Sequence, residues 1–409
     1  MLSLRIAFRY LFSKKSTNAI NIISWVSMAG MAVGAFALIV VLSVFNGFEG
    51  LVLSLYNSFY PDIEVRAAAG KTIEDNPAIL ASIVKYGDVV AVSRTLEENA
   101  YLEYGNNAQI GVIKGVDEAY NNVTTVKDFV REGKFDLGDS LHSRAVVGAN
   151  IGLSMNMNVE EQYEPLRITV PRKGVKSSFN PADEFSTMQV LPAGMFAIQQ
   201  DFDSKYIFVN LAFAKELLGS ENQITAYEVR LKPNADLDKA AEAIGAAVGK
   251  GYTVRTRYQQ RAEMYRVMII ERWVTTAILA FIILIISFNI IGSLSMLVLE
   301  KSRDISILKA MGGNTILVRN IYLLNGMLNA VIGAGIGLLA GYAVCLLQLK
   351  YHFLKLSGSG EGSSFVIDYY PVQLKLWDPV LAIGIILLLS LLAAYFPARR
   401  AGAAQMDFK

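Results

Sequence analysis

Trp273-Val-Thr-Thr-Ala-Ile-Leu-Ala-Phe-Ile-Ile-Leu-Ile-Ile-Ser-Phe-Asn-Ile-Ile-Gly-Ser-Leu-Ser-Met-Leu-Val-Leu299 lies uncharged between Arg272 and Glu300. A helix needs about 20 largely apolar residues to cross a bilayer's hydrocarbon core, so this stretch reads as a spanning helix. Working outward, the same test finds three more: 16–48 after Lys15, 320–349 after Arg319, and 379–398 after Asp378. The composition agrees. Of 409 residues, 53% are hydrophobic and only 18% charged, against about 25% charged in soluble chains. Mean hydropathy is +0.37. A soluble core cannot hide so much apolar surface, so part of it faces lipid.

The first run follows Arg5, Arg9, Lys14 and Lys15, like the basic start of a secretory signal. It is longer than a signal peptide's apolar region of about 7–15 residues, and reads as an uncleaved helix. Basic flanks orient the spans. The N-terminal segment, the 300–319 loop and the C-terminal tail together hold 11 Lys and Arg against 3 Asp and Glu, which places all three in the cytoplasm. Arg257, Arg261, Arg266 and Arg272 crowd the outer end of the second span against this trend; long translocated domains largely ignore charge.

The expected organisation is a cytoplasmic segment at 1–19, helix 1 at 20–48, an outer α+β domain at 49–265, and helix 2 with an outer extension at 266–299. A cytoplasmic coupling segment follows at 300–315, then helix 3 at 320–349, an outer loop at 350–378, helix 4 at 379–398 and a cytoplasmic tail at 399–409. The fold class is a membrane protein of four transmembrane α-helices with a large α+β extracytoplasmic domain inserted between helices 1 and 2. Within the insert, alternating or apolar β-branched runs predict strands at 63–66, 89–93, 108–114, 166–170, 206–209, 226–231 and 252–255. Helical spacing predicts helices at 210–218, with Asn210 as N-cap, and at 236–248. Two lobes and an irregular polar stretch at 171–185 are expected. From Arg257 the pattern runs unbroken into helix 2, as one long helix would.

Several functions are excluded. A net charge of +2 supplies no field for nucleic acid. Cys345 is the single cysteine, which rules out an internal disulfide framework. With only His142 and His352 beside it, no zinc or Fe–S site is expected. Gly70-Lys71-Thr72 has the tail of a phosphate-binding loop, but Val65 stands where that loop needs its first glycine. Asp201 and Asp203 do not complete a calcium loop. No catalytic constellation is present, so the chain is read as a non-enzyme that binds no cofactor of its own.

The cytoplasmic loop Glu300-Lys-Ser-Arg-Asp-Ile-Ser-Ile-Leu-Lys-Ala-Met-Gly-Gly313 carries Ile305, Leu308 and Met311 as an apolar stripe, ringed by Lys301, Arg303, Asp304 and Lys309. Gly312-Gly313 is a helix stop able to take positive φ. Two readings stand: a helix resting in the headgroup layer, or a docking helix fitted to a partner's groove. Gly333, Gly337 and Gly341, like Gly30 and Gly34, recur every four residues and let helices approach closely; plain packing is favoured over a dimer seam. Phe281, Ile285 and Phe288 share a face of helix 2 as candidates to line a chamber for acyl chains, against a plainer reading as lipid or core contacts. The stretch 357–364 reads as a flexible outer loop.

The loop resembles the E-K-x-R-E-I-x-I-L-K/R-A-M-G signature of the FtsX/MacB-like ABC permeases, matching at Glu300, Arg303, Ile305, Ile307, Leu308, Ala310, Met311 and Gly312, with Asp304 in place of the usual Glu. The four-helix layout and Ile6-Ala-Phe-Arg-Tyr-Leu11 are similar too. Within the superfamily the lipoprotein-releasing (Lol) permeases are most similar, through Asn46-Gly47-Phe48, Asp203-Ser-Lys-Tyr-Ile-Phe-Val-Asn210 and Ile367-Asp-Tyr-Tyr-Pro-Val372.

The resemblance implies that Glu300, Arg303, Asp304, Ile305, Leu308, Met311 and Gly312 couple to two separate ABC ATPase subunits, which use ATP and Mg. It implies a second permease copy or paralogue, lipoprotein cargo, membrane lipid, a bacterial inner-membrane location and a large periplasmic domain. It makes the hook at 171–185, with Pro171, Arg172, Lys173, Lys176, Phe179 and Pro181, the candidate contact for a periplasmic lipoprotein carrier. A related permease with another cargo or effector, or a non-transport scaffold or sensor, is the alternative.

Overall fold

A computed structural model describes residues 2–11, 18–139, 142–159, 164–172, 184–355 and 369–403. Two compact units emerge: a helical one from Met1–Leu51, Arg266–Ser357 and Tyr369–Lys409, and an inserted one built on Val52–Tyr265. The helices are α1 (Leu2–Leu11), α2 (Asn18–Phe59), α3 (Pro77–Val84), α4 (Tyr120–Val123), α5 (Ala149–Ser154), α6 (Gln200–Asp203), α7 (Leu211–Leu218), α8 (Leu237–Val248), α9 (Arg257–Gln260), α10 (Ala262–Glu300), α11 (Ser302–Ala310), α12 (Thr315–Tyr351) and α13 (Trp377–Ala403). The strands are β1 (Ile63–Ala67), β2 (Ile73–Glu74), β3 (Val89–Tyr104), β4 (Asn107–Val116), β5 (Val130–Gly133), β6 (Arg144–Gly148), β7 (Leu166–Pro171), β8 (Phe185–Phe196), β9 (Tyr206–Asn210), β10 (Gln223–Ile224), β11 (Ala226–Leu231) and β12 (Tyr252–Thr256).

In the helical unit, α2, α10, α12 and α13 are long and apolar enough to cross a membrane. They share one core, to which Leu38, Ile290, Ala330 and Ile386 contribute. The glycine stripe of α12 lies against the backbone of α2: a Cβ on Gly333 would stand 2.6 Å from the Met28 carbonyl oxygen, and one on Gly337 would strike that of Ala32. Gly30 and Gly34 instead face the side chain of Ile286 of α10. Both stripes thus serve packing within the chain, where small residues admit close van der Waals contact between helices. Gly358–Ser364, like the rest of 356–368, lies outside the described residues.

The inserted unit is an α+β domain around a mixed sheet of the order β12-β1-β11-β3-β4-β9-β6-β8-β5, with β7 bridging β3 and β8. That bridge closes β3, β4, β9, β6, β8 and β7 into a ring. Apolar side chains from the ring and α7, including Leu102, Ile113, Val147, Ile168, Ile207 and Phe213, fill it. The first half of β3 leaves the ring to pair with β11, and there β1, β11 and β12 bury a second core beneath α3 and α8. One 16-residue strand therefore serves both lobes.

The seven expected strands and two expected helices all form. Asn210 caps α7, its side chain accepting from Ala212 N–H at 2.8 Å, and Asp236 caps α8, satisfying backbone donors a helix start leaves open. β6, β8 and α3 had no reading in the sequence. β6 is a short apolar run that only its neighbours β8 and β9 define as a strand. Helix 1 also continues past 48 to Phe59. The extension is held within the inserted unit, where Phe59 is buried and stacks on Phe202 with ring centres 4.2 Å apart.

Candidate functional site

The loop after the second span folds as α11, joined to α10 through Lys301. Asp304 sits in its first turn, where a negative charge complements the helix dipole. Its end is closed by hydrogen bonds from Gly312 N–H to Lys309 O at 3.0 Å and from Gly313 N–H to Leu308 O at 2.9 Å, the paired pattern of a Schellman stop. Gly312 has φ +91°, a conformation costly for any residue with a Cβ. Asn314 then caps α12 through Leu317 N–H at 2.8 Å. The turn between α11 and α12 is therefore set by local hydrogen bonds.

The apolar residues of α11 divide. Ile305 is buried in the helical unit's own core, and Leu308 is half-buried. Ile307 is exposed and Met311 is 80% exposed. The stripe expected to meet a partner is thus corrected: Ile305 anchors α11 to its own chain, and the free apolar surface is Ile307 with Met311. The inward side is fastened again where Lys309 Nζ donates to Gly402 O of α13 at 3.0 Å. Tyr10 of α1 lies beside Asp304, and its hydroxyl is pushed up to about 12, by burial first and then by that carboxylate. Arg303 is exposed, and one buried oxygen of Glu300 has no hydrogen-bond partner among the described residues.

A second constellation joins the opposite ends of these helices. Asn46 of α2 donates to Asp378 of α13 at 2.5 Å, and Arg272 of α10 reaches the other oxygen of the same carboxylate at 3.4 Å. Asp378 is buried, and a buried carboxylate needs such partners. Around it, Gln373 N–H donates to Ser43 O at 2.9 Å, Lys375 pairs with Glu49 at 2.9 Å, and Phe48 meets Tyr370 edge-on. A Cβ on Gly47 would strike the Pro371 carbonyl. The motifs around residues 46–48 and 369–372, far apart in sequence, are one contact.

A family model of the MacB-like periplasmic core domain matches residues 24–247, more than half of the chain, and one of the FtsX-like permease C-terminal region matches 276–406. The chain belongs to the FtsX- and MacB-like permease family. Lipoprotein-releasing system transmembrane protein LolC of Neisseria meningitidis serogroup B is 26% identical over 98% of this chain and 96% of its own. LolE of Haemophilus influenzae is 25% identical over 98% and 97%. The crystallised periplasmic region of MacB from Actinobacillus actinomycetemcomitans aligns with 51% of this chain and 94% of its own, at 12% identity and a TM-score of 0.35. This permease is accordingly a membrane subunit of ABC-transporter type.

The other expected sites fall as follows. Phe281, Ile285 and Phe288 of the permease's α10 are all exposed, which removes the core-packing reading and leaves them free for lipid, cargo or a second chain. Of the hook, Pro171 ends β7 opposite Phe185, and Arg172 N–H donates to Glu184 O at 2.8 Å; both side chains are exposed. Lys173, Lys176, Phe179 and Pro181 lie outside the described residues. Asp378 and Arg272 were missed as a pair. The available signal was a charge at the margin of each span, with Asn46 at the margin of a third.

Proposed function

We propose that this permease extracts lipoproteins from the outer leaflet of the bacterial inner membrane and passes them to a periplasmic carrier, driven by two ATPase subunits that use ATP and Mg. The observation that carries the reading is that α11, with Ile307 and Met311 free, continues directly from α10, a single helix from Ala262 to Glu300. Motion imposed on α11 by ATPase closure is transmitted along that helix to its outer end. A second permease copy or paralogue completes the complex, and Phe281, Ile285 and Phe288 offer acyl chains an apolar lining on the way. Each buried CH₂ withdrawn from lipid costs about 0.8 kcal/mol, so moving several acyl chains calls for an energy source outside this chain. The hook, entered at Pro171 and Arg172, is assigned to carrier contact; Lys173, Lys176, Phe179 and Pro181 belong to that assignment.

The test is release from proteoliposomes holding the permease, its copurifying ATPase and a triacylated lipoprotein. ATP together with a soluble carrier should move lipoprotein into the supernatant, and deletion of 173–180 should stop transfer while leaving ATPase assembly intact. ATP hydrolysis with no release under any carrier condition would overturn lipoprotein extraction in favour of a related permease with another cargo.

A further inference from the structure

The inserted sheet has one apolar and one charged face. Strand alternation sends Ile63, Val65, Tyr227 and Val229 into the core beneath α3 and α8, and places Glu64, Glu228 and Arg255 side by side on the opposite face, across β1, β11 and β12. Arg66 follows Glu64 on that face, and the cross-strand pair Glu97 and Lys114 extends it. Lys114, 2% exposed, reaches Glu228 at 2.6 Å and Glu97 at 3.0 Å. Arg66 meets Glu64 at 2.7 Å and Glu97 at 3.6 Å.

Two cavities of about 430 and 280 Å³ open over this floor and share Arg66, Glu97, Lys205, Tyr206 and Arg255 as walls. Each carboxylate facing them is held by a cation, including Glu98, which Lys71 of the Gly70-Lys71-Thr72 segment takes at 2.9 Å. Lys205 and Arg255 differ. Among the described residues neither has a carboxylate at ion-pair distance, and Lys205 Nζ lies instead 5.4 Å from the Tyr206 ring centre. The cleft thus presents two cations outside ion-pair distance of a carboxylate, one of them a guanidinium whose planar fork suits oxyanions; Arg261, which also lines the smaller cavity, donates to the Tyr60 hydroxyl.

We propose that this cleft binds an oxyanion of phosphate or sulfate size, held by Arg255 and Lys205. A phosphate reaches it from one of two sources, soluble phosphate or a phospholipid headgroup. Glu228 gives the site a pH signature. Burial pushes its carboxyl up to about 7, with Lys114 pulling down and Glu97 pushing up. Glu64 and Arg66 of β1 also face this cluster, and Tyr120 lies beside Lys114. One Glu228 oxygen is buried with no hydrogen-bond partner among the described residues. Below about pH 7 the protonated carboxyl is neutral and the cleft's positive surplus grows. Above it the carboxylate repels an anion, so affinity falls as pH rises through that value.

Sulfate is the probe, because its charge stays constant near neutrality. Titration of the full chain in detergent, against chloride at equal ionic strength, should show saturable sulfate binding. Arg255→Gln and Lys205→Gln should each weaken it about three- to fivefold, and Glu228→Gln should flatten its pH dependence. Lys239→Gln, the same charge change on exposed α8, should leave it unaltered. The two cleft cations are exposed, so their variants keep the fold, which melting temperatures verify. No saturable binding, or equal weakening by Lys239→Gln, overturns the site. Competition by phosphatidylglycerol nanodiscs, and not by phosphatidylcholine ones, supports a headgroup ligand; competition by inorganic phosphate supports a soluble one. Competition by neither overturns the assignment.

Discussion

Ile305 within α11 and Met311 at its C-terminal cap stand six positions apart and have opposite fates. Asp at Met311 places a charge on exposed surface, which folding tolerates. At the docking face the same charge enters an apolar groove, where an unpaired charge costs several kcal/mol. Met311→Asp is therefore expected to keep the wild-type melting temperature while the ATPase is lost on copurification in mild detergent. Ile305→Asp buries the charge in the permease's own core and should lower the melting temperature before any partner is added. Full ATPase association and transport by Met311→Asp would make α11 a headgroup-resting helix. The periodicity of Ile305, Leu308 and Met311 was legible in the sequence. Which of them faces inward was not, because that depends on α12 and α13 arriving from later in the chain.

Among the elements, α10 bears the proposed function, since its 39 residues run from the end of the inserted segment to α11. Proline in a helix interior costs about 3 kcal/mol and kinks the axis. Ile269→Pro, at an exposed position, should leave ATPase assembly and hydrolysis near wild type yet abolish lipoprotein release, with Ile269→Ala as the unkinked control. Release at the wild-type rate from the proline variant would remove helix rigidity from the mechanism. Caps, hydropathy and alternation made α7, α8, α10 and most strands readable, since each acts within about one turn or one pleat. β6 and β8 escaped, because their strand character rests on ladders formed with other segments.

For the molecule as a whole, orientation rests on charge flanks, and the arginines before helix 2 strained that argument. Arg257 pairs with Asp62 at 3.1 Å, Arg261 donates to the Tyr60 hydroxyl and stacks on its ring, and Arg272 meets Asp378. Three of the four thus have structural partners in the folded protein, which gives them a role other than orienting the span. In a Cys345→Ala background, Glu221→Cys should react with an impermeant maleimide on spheroplasts and Ser302→Cys only after lysis; both positions are exposed. Reaction of the Ser302→Cys protein in intact spheroplasts would invert the topology.

The sequence alone determined four membrane spans, the α+β insert between the first two, the short amphipathic segment after the second span and the family, because uncharged runs, caps and a contiguous motif are local properties of the chain. The tertiary structure decided what no local signal holds: the six-strand ring closed by β7, one strand shared by two lobes, the meeting of Asn46, Arg272 and Asp378, and the two cations left unpaired over the charged sheet face. Each depends on residues from tens to hundreds of positions apart meeting in space, and a side chain's partners across such separations follow from packing rather than from its neighbours in sequence.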